Sequence, residues 1–199
     1  QQSLYFLGSK SIGYHCLRIL IEQRDKLSLD IKGILTNDRQ LFDSTVSIRQ
    51  LAETYQIPIL DSPDAMQDVD FICSVQYHQI LHASHIAKAR QLAFNLHMAP
   101  LPEYRGCNQF TFALLDEKKQ FGTTIHRMDT RIDHGDILAE KRFDIPPDCW
   151  VQTLYELTYD ASIQLFEEQI ADLLTGNFTA IPQQVLEAAR GWSLHYRHE

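Results

Sequence analysis

Asn95 and His97 close an apolar run, Phe94-Asn95-Leu96-His97, and lead into a proline-rich stretch, Met98-Ala99-Pro100-Leu101-Pro102-Glu103-Tyr104-Arg105-Gly106. Downstream come Gly122-Thr123-Thr124-Ile125-His126 and then Ile132-Asp133-His134-Gly135-Asp136-Ile137-Leu138. These residue types can carry out acyl-type chemistry. A side-chain amide and a protonated imidazole both donate to an oxygen that becomes negative when a carbonyl carbon is attacked. A carboxylate takes a proton from the attacking group, directly or through water, and its charge favours the imidazolium form of a nearby histidine. Side chains alternate along an extended segment, so Asn95 and His97 point to the same side. Taken singly, Asn-x-His at a strand end and an aspartate just before a glycine are more often structural.

Elements able to place these residues are legible on either side. Leu4–Leu7 is a short apolar run ending at Gly8 and predicts a buried strand. Ile12–Leu27 has helical apolar spacing, Ile31–Leu35 predicts a second strand, and Val46–Tyr55 a helix. Ile57-Pro58-Ile59-Leu60 predicts a short edge segment. Val69–Val75 predicts a strand, Ile80–Arg90 a helix, and Leu92–Leu96 the strand that delivers Asn95 and His97 at its C-terminal end. After these come a helix over Gln109–Leu115, strands over Phe121–Met128 and Ile137–Ile145, and a long amphipathic helix over Leu154–Leu174 stopped by Gly176-Asn177. The last twenty or so residues show no clear element. The alternation predicts an α/β fold, Rossmann-like, with an open, mostly parallel twisted sheet and helices on both faces. Ligands in such sheets bind beyond the C-terminal strand ends.

Bulk properties narrow the classes. The 199 residues suit one domain with a real core; 44% are hydrophobic and 22% charged, as in ordinary soluble globular proteins. A net charge of −8 and a pI near 5.5 argue against a broad nucleic-acid footprint. No apolar run approaches the length of a membrane span. No signal peptide is visible, and a start at Gln1 is compatible with a short missing N-terminal piece. Four scattered cysteines without a CxxC pair fit reduced thiols in a cytoplasm.

The order and spacing of the central motifs resemble the folate-dependent formyltransferase family, over roughly Leu4–Gly176 and most strongly from Val75 to Leu138. The resemblance implies a formyltransferase fold over residues 1–176 with a C-terminal extension at 177–199. It implies Asn95, His97 and Asp133 as the catalytic set and 10-formyltetrahydrofolate as the formyl donor. The pterin slot is expected from Tyr77-His78-Gln79-Ile80-Leu81 and from Met128-Asp129-Thr130-Arg131-Ile132, so Tyr77, Gln79, Ile80, Leu81, Met128, Asp129, Arg131 and Ile132 are cofactor-binding candidates. Thr124 and His126 on the adjacent strand are placed to shape that slot. The run His97–Phe110 is most similar to the sugar N-formyltransferases, whose acceptor is the amine of a nucleotide-linked amino sugar. Members of that branch carry extra C-terminal residues used in homodimerisation. Alternatives are a glycinamide ribonucleotide acceptor, a methionyl-tRNA-type enzyme, or a folate-binding domain without turnover. The chain is acidic and too short for a basic tRNA-binding domain, and its Gly8-Ser9-Lys10-Ser11-Ile12-Gly13 is only a partial likeness to the phosphate loop of the glycinamide ribonucleotide branch.

Other features have plainer readings. Gly8-Ser9-Lys10-Ser11 leads from a strand into a helix and is either a tight turn or a phosphate cradle. His78, His82 and His85 form a stripe on the expected helix, but no metal site is expected there. His134 either reaches the site or is an exposed turn residue. Tyr104 and Arg105 either bind substrate or pin the proline-rich loop by packing and a salt bridge. Trp150, Trp192, His195 and Tyr196 suit core packing or a subunit contact.

Overall fold

The structure is a computed structural model and describes residues 1–37 and 46–196. The fold class is α/β, with a mostly parallel central sheet and helices. Two compact units divide the chain, residues 1–95 and 96–199.

In the first unit, β1 (Gln2–Gly8) pairs in parallel with both β2 (Leu29–Thr36) and β3 (Val69–Val75). Leu4, Phe6, Leu7, Ile34, Phe71 and Cys73 are fully or almost fully buried, which is why these strands read as continuous apolar runs rather than alternating ones. Between β1 and β2 runs α1 (Lys10–Gln23), whose buried face is Ile12, Gly13, Cys16, Leu17, Ile19, Leu20 and Ile21. The Gly8-Ser9-Lys10-Ser11 segment is a tight strand-to-helix turn, with the Ser9 N–H bonded to the Val75 carbonyl at 3.2 Å. Then follow α2 (Ile48–Thr54) and a single 3-10 turn, Pro63–Ala65. Ile59 makes an isolated parallel bridge to Ile34.

The helix expected over Ile80–Arg90 shrinks to one turn, α3 (Ala83–Ile86). Residues 76–82 are irregular, and β4 (Ala89–His97) already begins at Ala89. Arg90 and Gln91 reach Asp70 of β3 at 3.4 and 3.1 Å, contacts that belong to a strand. The histidine stripe therefore does not exist as one helix face. His82 caps α3, and His85 donates from Nε2 to Asp64 at 2.6 Å while its Nδ1 accepts from the His82 N–H. Among the described residues, no group of three or more His, Cys, Asp or Glu side chains is arranged to hold a metal.

The second unit holds the end of β4, the two-residue β5 (Arg105–Gly106), α4 (Gln109–Leu115), and an antiparallel pair, β6 (Gln120–Arg127) and β7 (Ile137–Asp144). The 25-residue α5 (Val151–Thr175) buries Leu154, Leu165, Phe166, Ile170 and Leu173 and ends at Gly176 in the left-handed region. The C-terminal stretch expected to lack structure contains α6 (Gln184–Arg190) and β8 (Leu194–His195), and β8 pairs in parallel with β5. Phe121 lies at the centre of a cluster with Ala99, Tyr104, Ala113 and Leu154, bordered by Phe110 and Phe143. All four cysteines are free thiols. Among the described residues, no helix is long and apolar enough to cross a membrane.

Phe121 has no exposed surface, and its ring meets those of Tyr104, Phe110 and Phe143. Truncation leaves a cavity that rigid strands cannot close. Phe121→Ala is expected to lower unfolding free energy by about 3–5 kcal/mol, read from the urea midpoint.

Candidate active site

His97 ends β4, and Leu96 and His97 are both buried. The chain then turns through Met98–Pro102, where the Leu101–Pro102 peptide is cis. Thr123 and Thr124 of β6 donate their hydroxyls to the carbonyls of His97 and Ala99 at 3.1 and 2.8 Å, fixing the backbone on either side of the turn. Arg142 and Arg190 both donate to the Leu101 carbonyl, and each is paired with a carboxylate, Glu103 and Glu140 respectively.

Asp133 sits in the segment between β6 and β7, with φ of +51°, in the left-handed region that side chains other than glycine seldom adopt. Two features hold it there. Gly135 passes so close to the end of β6 that an added Cβ would lie 1.6 Å from the Arg127 carbonyl oxygen, so only glycine fits. Arg127 N–H closes the loop by bonding to the Asp136 carbonyl at 2.8 Å.

Within this unit three titratable groups converge. Asp133 Oδ2 is 3.5 Å from His97 Nδ1, and Asp133 Oδ1 is 3.4 Å from His126 Nε2. The N–H of Gly106 donates to Asp133 Oδ2 at 2.9 Å. Carbonyls on the far sides define which ring nitrogens carry hydrogen. His97 Nε2 lies 2.6 Å from the Tyr104 carbonyl, and His126 Nδ1 lies 3.0 Å from the Arg127 carbonyl. A carbonyl only accepts, so both of those nitrogens are donors. A neutral His97 or His126 would therefore turn a lone pair toward the carboxylate. The Asp133 side chain is 14% exposed. Burial by itself would raise its carboxyl. The charge of His97, the hydrogen bond and charge of His126, and the Gly106 N–H outweigh that effect and hold the carboxyl well below the usual range.

The remaining candidates are distributed as follows. Asn95 lies on β4 two residues before His97 and is half-buried. Tyr77, Gln79, Ile80 and Leu81 occupy the irregular segment after β3 in the first unit; Ile80 is 70% exposed, Leu81 is buried, and Tyr77 donates to Gln79 at 3.5 Å. Met128, Asp129, Arg131 and Ile132 occupy the loop that carries Asp133 in the second unit, where Asp129 accepts from the Arg131 N–H at 2.8 Å and pairs loosely with His134 at 3.5 Å. Tyr104 and Arg105 are both buried. The Tyr104 hydroxyl donates to Asp116 at 2.8 Å, and the Arg105 guanidinium donates to Gln183 and Glu187 at 2.9 Å each. Both side chains are thus engaged by neighbouring groups of the protein. The direct approach of His126 to Asp133 was not foreseen, although its place on β6, four residues past Gly122, was the signal available.

Residues 52–170 match the family described as formyl transferase. The methionyl-tRNA formyltransferase of Listeria monocytogenes serotype 4a (strain HCC23) is 33% identical over 116 residues, 58% of this chain and 37% of its own. That of Lactobacillus gasseri is 28% identical over 196 residues, 91% of this chain and 61% of its own. This chain therefore spans less than two thirds of the length of these relatives. The solved N-formyltransferase of Helicobacter canadensis, in complex with folinic acid and dTDP-3-aminofucose, superposes with a TM-score of 0.82 at 20% identity, over 99% of this chain and 71% of that one.

The depressed Asp133 carboxyl makes stability pH-dependent with a definite sign. A group ionised more easily when folded contributes stability that is fully present above its unfolded value, about 3.9, and lost as pH falls toward the folded one. The native protein is thus expected to lose stability progressively below about pH 4, and Asp133→Asn to show a shallower loss over the same window. Urea midpoints measured at stepped acid pH for both proteins test this.

Proposed function

The chain belongs to the formyl transferase family, and from that premise we propose that it moves a formyl group from 10-formyltetrahydrofolate to a primary amine. The observation that carries the reading is the Asp133 carboxylate held between His97 Nδ1 and His126 Nε2, with the Gly106 N–H on one oxygen. When bound, 10-formyltetrahydrofolate supplies a formyl carbon attached to a nitrogen able to leave. The protein's part is to stabilise charge and to move a proton.

Asn95 and His97 share one face of β4 by strand alternation, and Asn95 is assigned the oxyanion-facing role on the family resemblance. His97 Nε2–H is committed to the Tyr104 carbonyl, which leaves Nδ1 as the nitrogen available for proton transfer. Its 3.5 Å separation from Asp133 is longer than a direct hydrogen bond. Contacts of this kind commonly tighten only when substrate is present. Asp133 takes the proton of the attacking amine, an imidazolium gives one to the leaving nitrogen, and passage of the proton from Asp133 to that imidazole restores both groups. Loss of one participant in such a transfer costs typically 10²–10⁴-fold. Tyr77, Gln79, Ile80, Leu81, Met128, Asp129, Arg131 and Ile132 are assigned the folate-facing role on the family resemblance.

The acceptor we favour is the amine of a nucleotide-linked amino sugar, in the cytoplasm. The run from His97 to Phe110 is most similar to that branch, and the Helicobacter protein is solved with such a sugar nucleotide. A methionyl-tRNA acceptor is the second reading, favoured by the Listeria and Lactobacillus relatives.

Tetrahydrofolate release from 10-formyltetrahydrofolate is expected to accelerate on adding a dTDP- or UDP-linked 3- or 4-amino sugar. Acceleration by methionyl-tRNA or glycinamide ribonucleotide instead would reassign the acceptor; silence with every amine would remove the enzyme reading. In the same assay His97→Ala and Asp133→Asn are expected to lower kcat at least 10²-fold with circular dichroism unchanged.

A further inference from the structure

Gln183 stands just ahead of α6, 1% exposed, in a polar stretch to which the sequence assigned no element. Its side-chain nitrogen donates to two carbonyls, those of Asp133 and Gly135, at 2.7 Å each. Its side-chain oxygen accepts from Arg105 Nε at 2.9 Å. Both N–H groups and the oxygen of one buried amide are thus in use. Arg105 is itself fixed by Glu187 at 2.9 Å, and its backbone N–H donates to the Ser193 carbonyl at 3.1 Å.

The residue after Arg105 closes a ring. Gly106 N–H donates to the Asp133 carboxylate, so the path runs from the Asp133 carbonyl through Gln183, Arg105 and Gly106 back to Asp133 Oδ2. Backbone and side chain of one residue are clamped by adjacent links of a single closed circuit. The clamped residue is the one with φ of +51°.

We propose that Gln183 is a positioning residue for Asp133, holding the turn at residues 133–135 so that the carboxylate stays aimed between His97 and His126. This rests on the reading of Asp133 as a participant in formyl transfer. A glutamine that only filled orphan carbonyls would contribute to stability alone. One that holds the carboxylate in register also sets the proton exchange between it and the two imidazoles. Misplacement of a reacting group by about 1 Å costs on the order of 10²-fold in rate.

Gln183→Glu tests this in the full chain. It keeps the shape and pairs with Arg105, but turns an oxygen toward the carbonyls of Asp133 and Gly135. Gln183→Ala is the second variant. For a folded variant the expected result is a kcat lower by about 10- to 100-fold with KM for folate and amine unchanged. Imidazole titrations of His97 and His126, followed by NMR without any substrate, are expected to be displaced from wild type in the direction seen for Asp133→Asn. Wild-type titration curves and kcat in either folded variant would overturn the proposal. So would failure of both variants to fold, which would make Gln183 a stability element. If Asp133→Asn retains full activity, the reading of Asp133 fails first. If Asp133→Asn is inactive while Gln183→Glu matches wild type, only the role of Gln183 fails.

Discussion

A carboxylate with little access to water must be met by groups that favour its charge, or it would protonate or leave the interior. Asp133 is met by two imidazoles and one backbone N–H, and much of the second unit can be understood as what keeps those three in place. The Tyr104 and Arg127 carbonyls fix the far nitrogen of each ring. Gly135 allows the loop to lie against β6, and the turn after β4 brings the Tyr104 carbonyl back to His97 and the Gly106 N–H to Asp133. The two imidazole nitrogens stand 3.5 and 3.4 Å from the carboxylate oxygens, longer than tight hydrogen bonds.

The strands of the first unit were legible because burial on both faces writes an uninterrupted apolar run, as in Leu4–Leu7 and Val69–Val75. The long α5 was legible because one face repeats at helical spacing. Ile80–Arg90 misled for an opposite reason: its spacing permits a helix, but Arg90 and Gln91 are claimed by Asp70 across the sheet, and a tertiary contact of that kind leaves no periodic trace. β5 and β8 are two residues each, too short for any pattern.

The site was readable in proportion to how locally it is encoded. His97 and Asp133 stand in recognisable motifs, and the structure brings them together within one unit. His126 lay in view but without a stated partner, since nothing in Gly122–His126 says what faces it. Gln183 could not have been found. One glutamine in Ile181-Pro182-Gln183-Gln184 carries no spacing signal toward residues fifty positions earlier, and its contacts exist only once the fold has formed.

The parallel pairing of β8 with β5 joins stretches of chain that are far apart, with Cys107 and His195 separated by 88 positions. Contacts of such long sequence separation close late, because the intervening chain must be ordered before they repay the entropy of the loop. A chain synthesised from its N-terminus exposes His97, His126 and Asp133 long before Gln183 and the residues of β8 have been added. During its own synthesis the protein therefore displays His97, His126 and Asp133 before it carries the segment whose side chains and backbone contact the Asp133 turn.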